Sequence, residues 1–207
     1  DLGTALVLMA LTGAMLFAAG IQRKHFLTLA GGGLAAIPVF WQFLKGYKKA
    51  RLLSFINPDL DPLGSSYQVI QSKIAVGSGG FAGKGWLDGT QSQLNFLPEQ
   101  HTDFIFSVFA EQWGFIGSTL LLLLYLGLML QTVKIAESAR DFQGNMLATG
   151  ILSVIAFQAL VNLLMTVGLM PVTGICLPFM SYGGSNLLTM MLCVGFLLGI
   201  RMRSLIF

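Results

Sequence analysis

Charge is what this 207-residue chain has least of: Lys, Arg, Asp and Glu make up 10% of it, against about 25% in soluble domains. That shortage excludes a disordered chain, a coiled coil and a nucleic-acid module, each of which needs more charge. The twelve Lys and Arg residues are scattered and the net charge is only +3. No run of like charges reaches the length of a nucleic-acid tail, so anionic lipid head groups are the expected polar partner. Cysteine is scarce too. Cys176 and Cys193 lie roughly 25 Å apart if their segment is helical, too far for a disulfide. With His25 and His101 expected on opposite membrane sides, no protein-only zinc cluster is anticipated. What remains is apolar: hydrophobic residues make up 55% of the chain and the mean hydropathy is +0.75. This is the composition of a polytopic membrane protein.

A helix needs about 20 mostly apolar residues to cross a bilayer. The runs that qualify are about Leu2–Ile21, Phe26–Leu44, Phe104–Val133, Met146–Met170 and Leu177–Ile200. The fold class is therefore all-α, with about five transmembrane helices. Asp1 leads into the first run with no initiator Met, so the chain is expected to be part of a longer one. Most connections are short, but residues 45–103 form one large loop rich in Gly, Pro, Asp, Gln and Ser. Loops that long in a compact protein are usually functional or disordered, and the aromatic and Ile residues throughout argue against disorder. Five helices would place Arg23, Lys24, Lys134, Arg140, Arg201 and Arg203 on one side. Lys45, Lys48, Lys49, Arg51, Lys73 and Lys84 would fall on the other. The positive-inside rule does not choose between them.

The densest polar signal is Phe96-Leu-Pro-Glu-Gln-His-Thr-Asp103, running directly into the third apolar span. It carries Glu99, His101 and Asp103. Thr102 or Asp103 can cap the helix that follows. Ser107 and Glu111 recur at helical spacing after Asp103, which puts all three on one face. An acid inside a span normally faces a wet cavity or a partner, so this face is expected to line a polar cavity with Asp103 at its mouth. Upstream, Gly77-Ser-Gly-Gly-Phe-Ala-Gly-Lys84-Gly85 fails the P-loop pattern. It can still form either a plain turn-rich loop or a phosphate cradle of backbone N–H groups with Lys84. Arg51 and Lys73 are further cations able to meet a phosphate. Lastly, Leu177-Pro-Phe-Met-Ser181-Tyr-Gly-Gly-Ser-Asn186 interrupts the fifth run. Irregular backbone at membrane depth is tolerated only inside protein or beside water, which makes Ser181 a candidate cavity residue.

Taken in order, these segments resemble the SEDS family (shape, elongation, division and sporulation) of bacterial cell-wall proteins, and within it the rod-shape, RodA-like branch. The stretches that carry the resemblance begin with Asp1-Leu-Gly-Thr-Ala, Asn57-Pro-Asp-Leu-Asp-Pro-Leu-Gly and Tyr67-Gln-Val-Ile-Gln-Ser-Lys. They continue with Gly83-Lys-Gly-Trp, Gly89-Thr-Gln-Ser-Gln-Leu, the Phe96 to Phe106 stretch, Leu169-Met-Pro-Val-Thr-Gly and Ser181-Tyr-Gly-Gly-Ser. The resemblance implies a ten-helix glycosyltransferase that polymerises lipid II into peptidoglycan. Residues 1–207 would be the C-terminal part of that single transmembrane domain, and 45–103 its large extracytoplasmic loop. It implies Asp103 as the catalytic base and Asp1 as a second polar position near the cavity. Arg51, Lys73, Lys84, Glu99, His101, Glu111 and Ser181 are the candidates for contact with substrate or its undecaprenyl pyrophosphate leaving group. A divalent ion (Mg or Mn) bridging Asp103 to a phosphate fits this chemistry, though no residue cluster requires one. The implied setting is the bacterial inner membrane, multi-pass, with a class B penicillin-binding protein and the elongation machinery as partners. A lipid II flippase or a scaffold for a transpeptidase is the rival reading. Gln112 stands where the family often has a second Glu, and Cys176 where a Pro is common.

Overall fold

In hydrocarbon a backbone must satisfy its own N–H and C=O groups, so each apolar run closes on itself as a helix. The computed structural model describes residues 2–43, 46, 49, 53, 55, 65–94 and 96–206. Among them all regular structure is helical: α1 (Leu2–Ala18), α2 (Arg23–Phe43), α3 (Ser65–Ser78), α4 (Thr90–Gln93), α5 (Ile105–Ser138), α6 (Phe142–Thr166) and α7 (Gly184–Ile206). Of the five expected spans, α5, α6 and α7 are long and apolar enough to cross a membrane; α1 is apolar but shorter. The large loop holds α3 and α4.

α6 is the centre of the bundle, with α5 on one side and α1 on another, while α3 lies against α5. Small residues make these approaches possible: Ala136 and Ala148 are buried where α5, α6 and α7 meet, and Ala159 where α5 and α6 meet the Leu177 turn. Ile135, Ile151, Ile155, Met190 and Leu197 fill the space around the first two. At the other end Phe104, Leu97, Met165 and Val172 form a separate core beneath the Asp103 turn. The outward faces stay apolar, as at Leu122, Leu123 and Leu124, which suits lipid rather than water.

The helix ends depart from the sequence reading in instructive places. α6 begins at Phe142 because Asp141 caps it, its Oδ2 accepting from the Gly144 N–H at 3.2 Å. The N-cap position of α5 is Phe104, with no side-chain cap bond, rather than Thr102 or Asp103. The Thr102 hydroxyl instead donates to Glu99, reaching its carbonyl at 3.3 Å and its Oε2 at 3.1 Å. The last helix starts at Gly184, not Leu177. Residues 177–181 are held as a turn: the Leu177 N–H donates to Ser181 Oγ at 2.7 Å, and the Tyr125 hydroxyl donates to the Pro178 carbonyl.

α5 is broken. Gly114 sits at φ 62°, ψ −158°, which no continuous helix contains. The stretch after it, 115–138, spans about 36 Å at helical rise, enough to cross the hydrocarbon alone. The stretch before it, from Ile105 to Trp113, is therefore a separate segment. Around the break Phe81, Trp86, Trp113 and Phe115 are all exposed. Phe81 stacks on Phe115 and Trp86 meets Trp113 edge-on. Such a girdle marks a membrane–water interface.

Candidate functional site

Two of the polar motifs meet. The Tyr182 N–H donates to the His101 carbonyl at 2.8 Å, and Ser181 Oγ donates to the Thr102 carbonyl at 2.6 Å. Asn162, fully buried in α6, completes the seam: its Nδ2 reaches the Asp103 carbonyl at 2.9 Å and the Ile175 carbonyl at 2.8 Å. Two flanking carbonyls leave no choice of amide orientation, since only the NH₂ can donate. Thus the turn 99–103, the segment 172–182 and the middle of the bundle are tied by four hydrogen bonds on the backbone of three consecutive residues, His101, Thr102 and Asp103, and of Ile175.

Asp103 is half-buried in this seam. Its own N–H donates to the Glu99 carbonyl at 3.2 Å. A Cβ placed on Gly174 would lie 3.7 Å from its Oδ2, so the 172–176 segment passes beside the carboxylate. Cys176 is next to it: burial, and then the Asp103 charge, push that thiol above its usual value. Glu99 (φ 53°) and Phe179 (φ 64°) are both left-handed without being glycine. Bulky residues held there are strained, and such strain clusters at functional sites. Glu99 and His101 are exposed around the mouth.

The other candidates are distributed as follows. Lys73 is exposed on α3, its aliphatic stem lying over Gly168. Its neighbour Ser72 is buried, bonded to Ser107 Oγ and to the Thr166 carbonyl, both at 2.6 Å, which places Lys73 on the helix packed beside the Asp103 end of α5. Asp1 and Arg51 lie outside the described residues. Gly3, near the first of them, packs against the Thr173 carbonyl.

Glu111 is where the sequence reading needs most revision. The face it shares with Ser107 is covered rather than open, and its carboxylate is fully buried. Lys84 Nζ donates to Oε1 at 2.8 Å. The Gln91 N–H reaches Oε1 at 3.0 Å and the Ser92 N–H reaches Oε2 at 3.2 Å. The hydroxyls of Ser78 and Thr90 add weaker donations. Lys84 is therefore committed to a carboxylate about two helical turns beyond Asp103 and is not positioned as a companion to it.

The Gly-rich stretch is likewise engaged, and not as a phosphate cradle. The break at Gly114 strands backbone groups of α5, and the stretch takes them up. Lys84 and Gly85 donate their N–H groups to the Glu111 and Gln112 carbonyls at 3.0 and 3.1 Å. Gly80 and Phe81 accept in return from the Phe115 and Ile116 N–H groups at 3.0 and 3.2 Å. The two backbones approach so closely that a Cβ on Gly79 would strike the Ala110 carbonyl, and one on Gly83 the Gln112 carbonyl. Gly83 also has φ 82°. Gly83→Ala is thus expected to destabilise by about 1–2 kcal/mol from the left-handed conformation, and by more once the clash with the Gln112 carbonyl is added. Gly77→Ala, in open space at the end of α3, should be neutral or slightly stabilising. Thermal unfolding of the two purified variants checks the contrast; equal midpoints would mean the backbone splice is absent.

A family profile described as Cell cycle protein (FtsW/RodA/SpoVE) matches residues 1–205. The chain belongs to this FtsW/RodA/SpoVE family. It is 45% identical over 203 residues to "Peptidoglycan glycosyltransferase MrdB" of Escherichia coli (strain K12), covering 97% of this chain and 55% of that protein. It is 45% identical over 204 residues to "Stage V sporulation protein E" of Bacillus subtilis (strain 168), covering 99% and 55%. A solved structure described as "Structural coordination of polymerization and crosslinking by a peptidoglycan synthase complex" superposes with a TM-score of 0.76 at 37% identity, covering 97% of this chain and 56% of that one. The chain thus spans about half the length of the relatives it matches. Within this FtsW/RodA/SpoVE chain, Asn162 and Ser72 are the site residues that sequence reasoning passed over. A lone Asn in an apolar span was the available signal, since a buried amide must find partners.

Proposed function

We propose that the protein to which this chain belongs is a peptidoglycan glycosyltransferase of the bacterial inner membrane. It polymerises lipid II during cell-wall elongation, with Asp103 as general base. The observation that carries this is the half-buried Asp103 carboxylate, held by backbone bonds from both sides at the end of the bundle. A base so fixed does not have to be ordered at the moment of reaction. In the step itself the acceptor sugar's 4-hydroxyl gives its proton to Asp103 while its oxygen attacks the donor's anomeric carbon. The bond from that carbon to undecaprenyl pyrophosphate breaks, and the pyrophosphate leaves with the electron pair.

Lys73 and Arg51 are the cations left to meet that leaving group, since Lys84 is paired with Glu111. Glu99 and His101 at the mouth would contact sugar hydroxyls, and Ser181 holds the seam. A cleft of about 170 Å³ between α5 and the 177–182 turn is lined by Leu121, Leu124, Tyr125, Leu128, Phe179 and Met180; its surface suits a polyprenyl segment. Among the described residues no three His, Cys, Asp or Glu side chains come together as a metal site. A divalent ion here would draw most of its ligands from substrate phosphate and water, the usual manner of Mg²⁺, and would supply charge neutralisation to the leaving group. A class B penicillin-binding protein and the elongation machinery are the proposed partners.

The test is direct: the whole purified protein, given lipid II in detergent, should form glycan strands resolvable by gel. Transport of labelled lipid II across vesicles with no polymer ever formed would replace this reading with the flippase.

A further inference from the structure

At the end of the bundle opposite Asp103, a cleft of about 310 Å³ opens between the α5–α6 connection and the end of α7. Arg140 and Arg203 line it. Both are exposed, and neither forms an ion pair with a described residue. Asp141 is also in the wall, but its carboxylate is engaged with the Gly144 N–H, so two positive charges face one negative. Gln143 and Ser204 are the other polar side chains in the wall, and the Ser204 hydroxyl donates to the Arg201 carbonyl at 2.7 Å; the remaining lining is apolar or bare. Gly195, Gly199 and Arg203 recur every four residues on α7, which stacks them along one face. No atom lies within 4 Å of a Cβ built on either glycine. The α7 face is thus a smooth groove for two turns, roughly 12 Å, ending on a guanidinium. Leu147 and Phe196, both exposed, flank it.

This is the shape and polarity of an amphiphile with an anionic head. Arg203 lies in the last turn of a helix whose stretch Gly184–Ser204 is long and apolar enough to span the membrane, so its head sits at the level of lipid phosphates. Basic pockets between spans characteristically take anionic head groups, and guanidinium binds phosphodiester oxygens in pairs. We propose that the cleft binds one anionic phospholipid, its phosphodiester between Arg140 and Arg203 and an acyl chain laid along Gly195 and Gly199. The net charge of the wall matches a single phosphodiester. The bare groove selects a lipid over free phosphate, which would have no use for it.

The experiment is native mass spectrometry of the whole protein in detergent, titrated with phosphatidylglycerol and with phosphatidylcholine of the same chains. One phosphatidylglycerol is expected to bind at least about tenfold more tightly than phosphatidylcholine. The double variant Arg140→Gln, Arg203→Gln should weaken it by about thirtyfold, from two interfacial charges. Gly199→Phe changes no charge and meets no atom at its Cβ, so it should fill the groove and weaken phosphatidylglycerol to a similar degree. Equal binding of the two lipids, or an unchanged affinity in either variant, would overturn the assignment. So would displacement of the lipid by inorganic phosphate at matched concentration, since the site would then read a free anion.

Discussion

Asp103→Asn in the whole protein is expected to lower lipid II polymerisation by about 10²–10⁴-fold, the usual worth of a positioned base, while leaving the seam intact. The reason lies in which atoms hold the residue. Asn162 grips the Asp103 carbonyl and Glu99 takes its N–H, and both contacts survive a change confined to one side-chain oxygen. Loss of activity would then report loss of proton acceptance rather than loss of fold. A second readout makes this separable. The Asp103 charge helps to raise the Cys176 thiol, so its removal should bring that thiol part of the way back down, with burial keeping the remainder. More thiolate at a given pH means faster alkylation. In a Cys193→Ser background, iodoacetamide should label Cys176 faster in Asp103→Asn than in its parent at pH 8, with the labelling profile moved toward lower pH. Normal glycan synthesis by the variant would remove Asp103 from the chemistry. An unmoved labelling profile would instead deny that the carboxylate faces Cys176.

How much of this was legible beforehand depends on what kind of fact was asked for. The apolar runs announced their helices because span length is a one-dimensional property. The polar runs around Asp103 and Ser181 stood out because each interrupts hydrocarbon, and their meeting, Tyr182 with His101 and Ser181 with Thr102, is what gives those interruptions a purpose. The errors arose where a residue's role is set by a neighbour distant in sequence. Gly79 and Gly83 look like ingredients of a mobile loop, yet they are glycine because the α5 backbone leaves no room for a Cβ. Gly114 looks like one more small residue in a long span, and only the docked Gly80–Gly85 strip makes a break there tolerable. Leu177-Pro-Phe-Met reads as the start of a helix by composition. It is held in a turn by Ser181 and by Tyr125, the latter lying 53 positions earlier. The acid at Glu111 suggested a polar cavity along its face; that the face is instead closed, with Lys84 of the covering loop as its counter-charge, could not be read from spacing.

Lys84 and Glu111 should prove unequal when removed one at a time, and the inequality follows from what each leaves behind. Lys84 is about a quarter exposed on its side chain while Glu111 is wholly buried. In Lys84→Met the carboxylate keeps the Gln91 and Ser92 N–H groups and two hydroxyls. It loses its counter-charge, a loss of about 1–3 kcal/mol for a buried charged group stripped of one strong partner. In Glu111→Ala the lysine can turn to water, but two N–H groups of α4 lose their acceptor. The corner from Gly89 to Ser92, where a Cβ on Gly89 would already lie 2.7 Å from the carboxylate, loses the atom it is built around. With two orphaned donors at about 1–3 kcal/mol each, this variant should be the less stable. Glu111→Gln, which keeps acceptor oxygen but no charge, should fall between Ala and the parent. The double variant Lys84→Met, Glu111→Ala should cost less than the two singles added, because neither leaves an unpaired charge once the other is gone. Apparent unfolding midpoints of the whole protein in one detergent, scanned at one rate, give the four corners of the cycle. Each kcal/mol moves the midpoint by about 2–4 °C in a domain of 150–250 residues and by less in a longer protein, so the comparison rests on the order of the variants. Strict additivity would mean that the ion pair contributes nothing of its own and that the loop is seated by the α5 backbone splice alone.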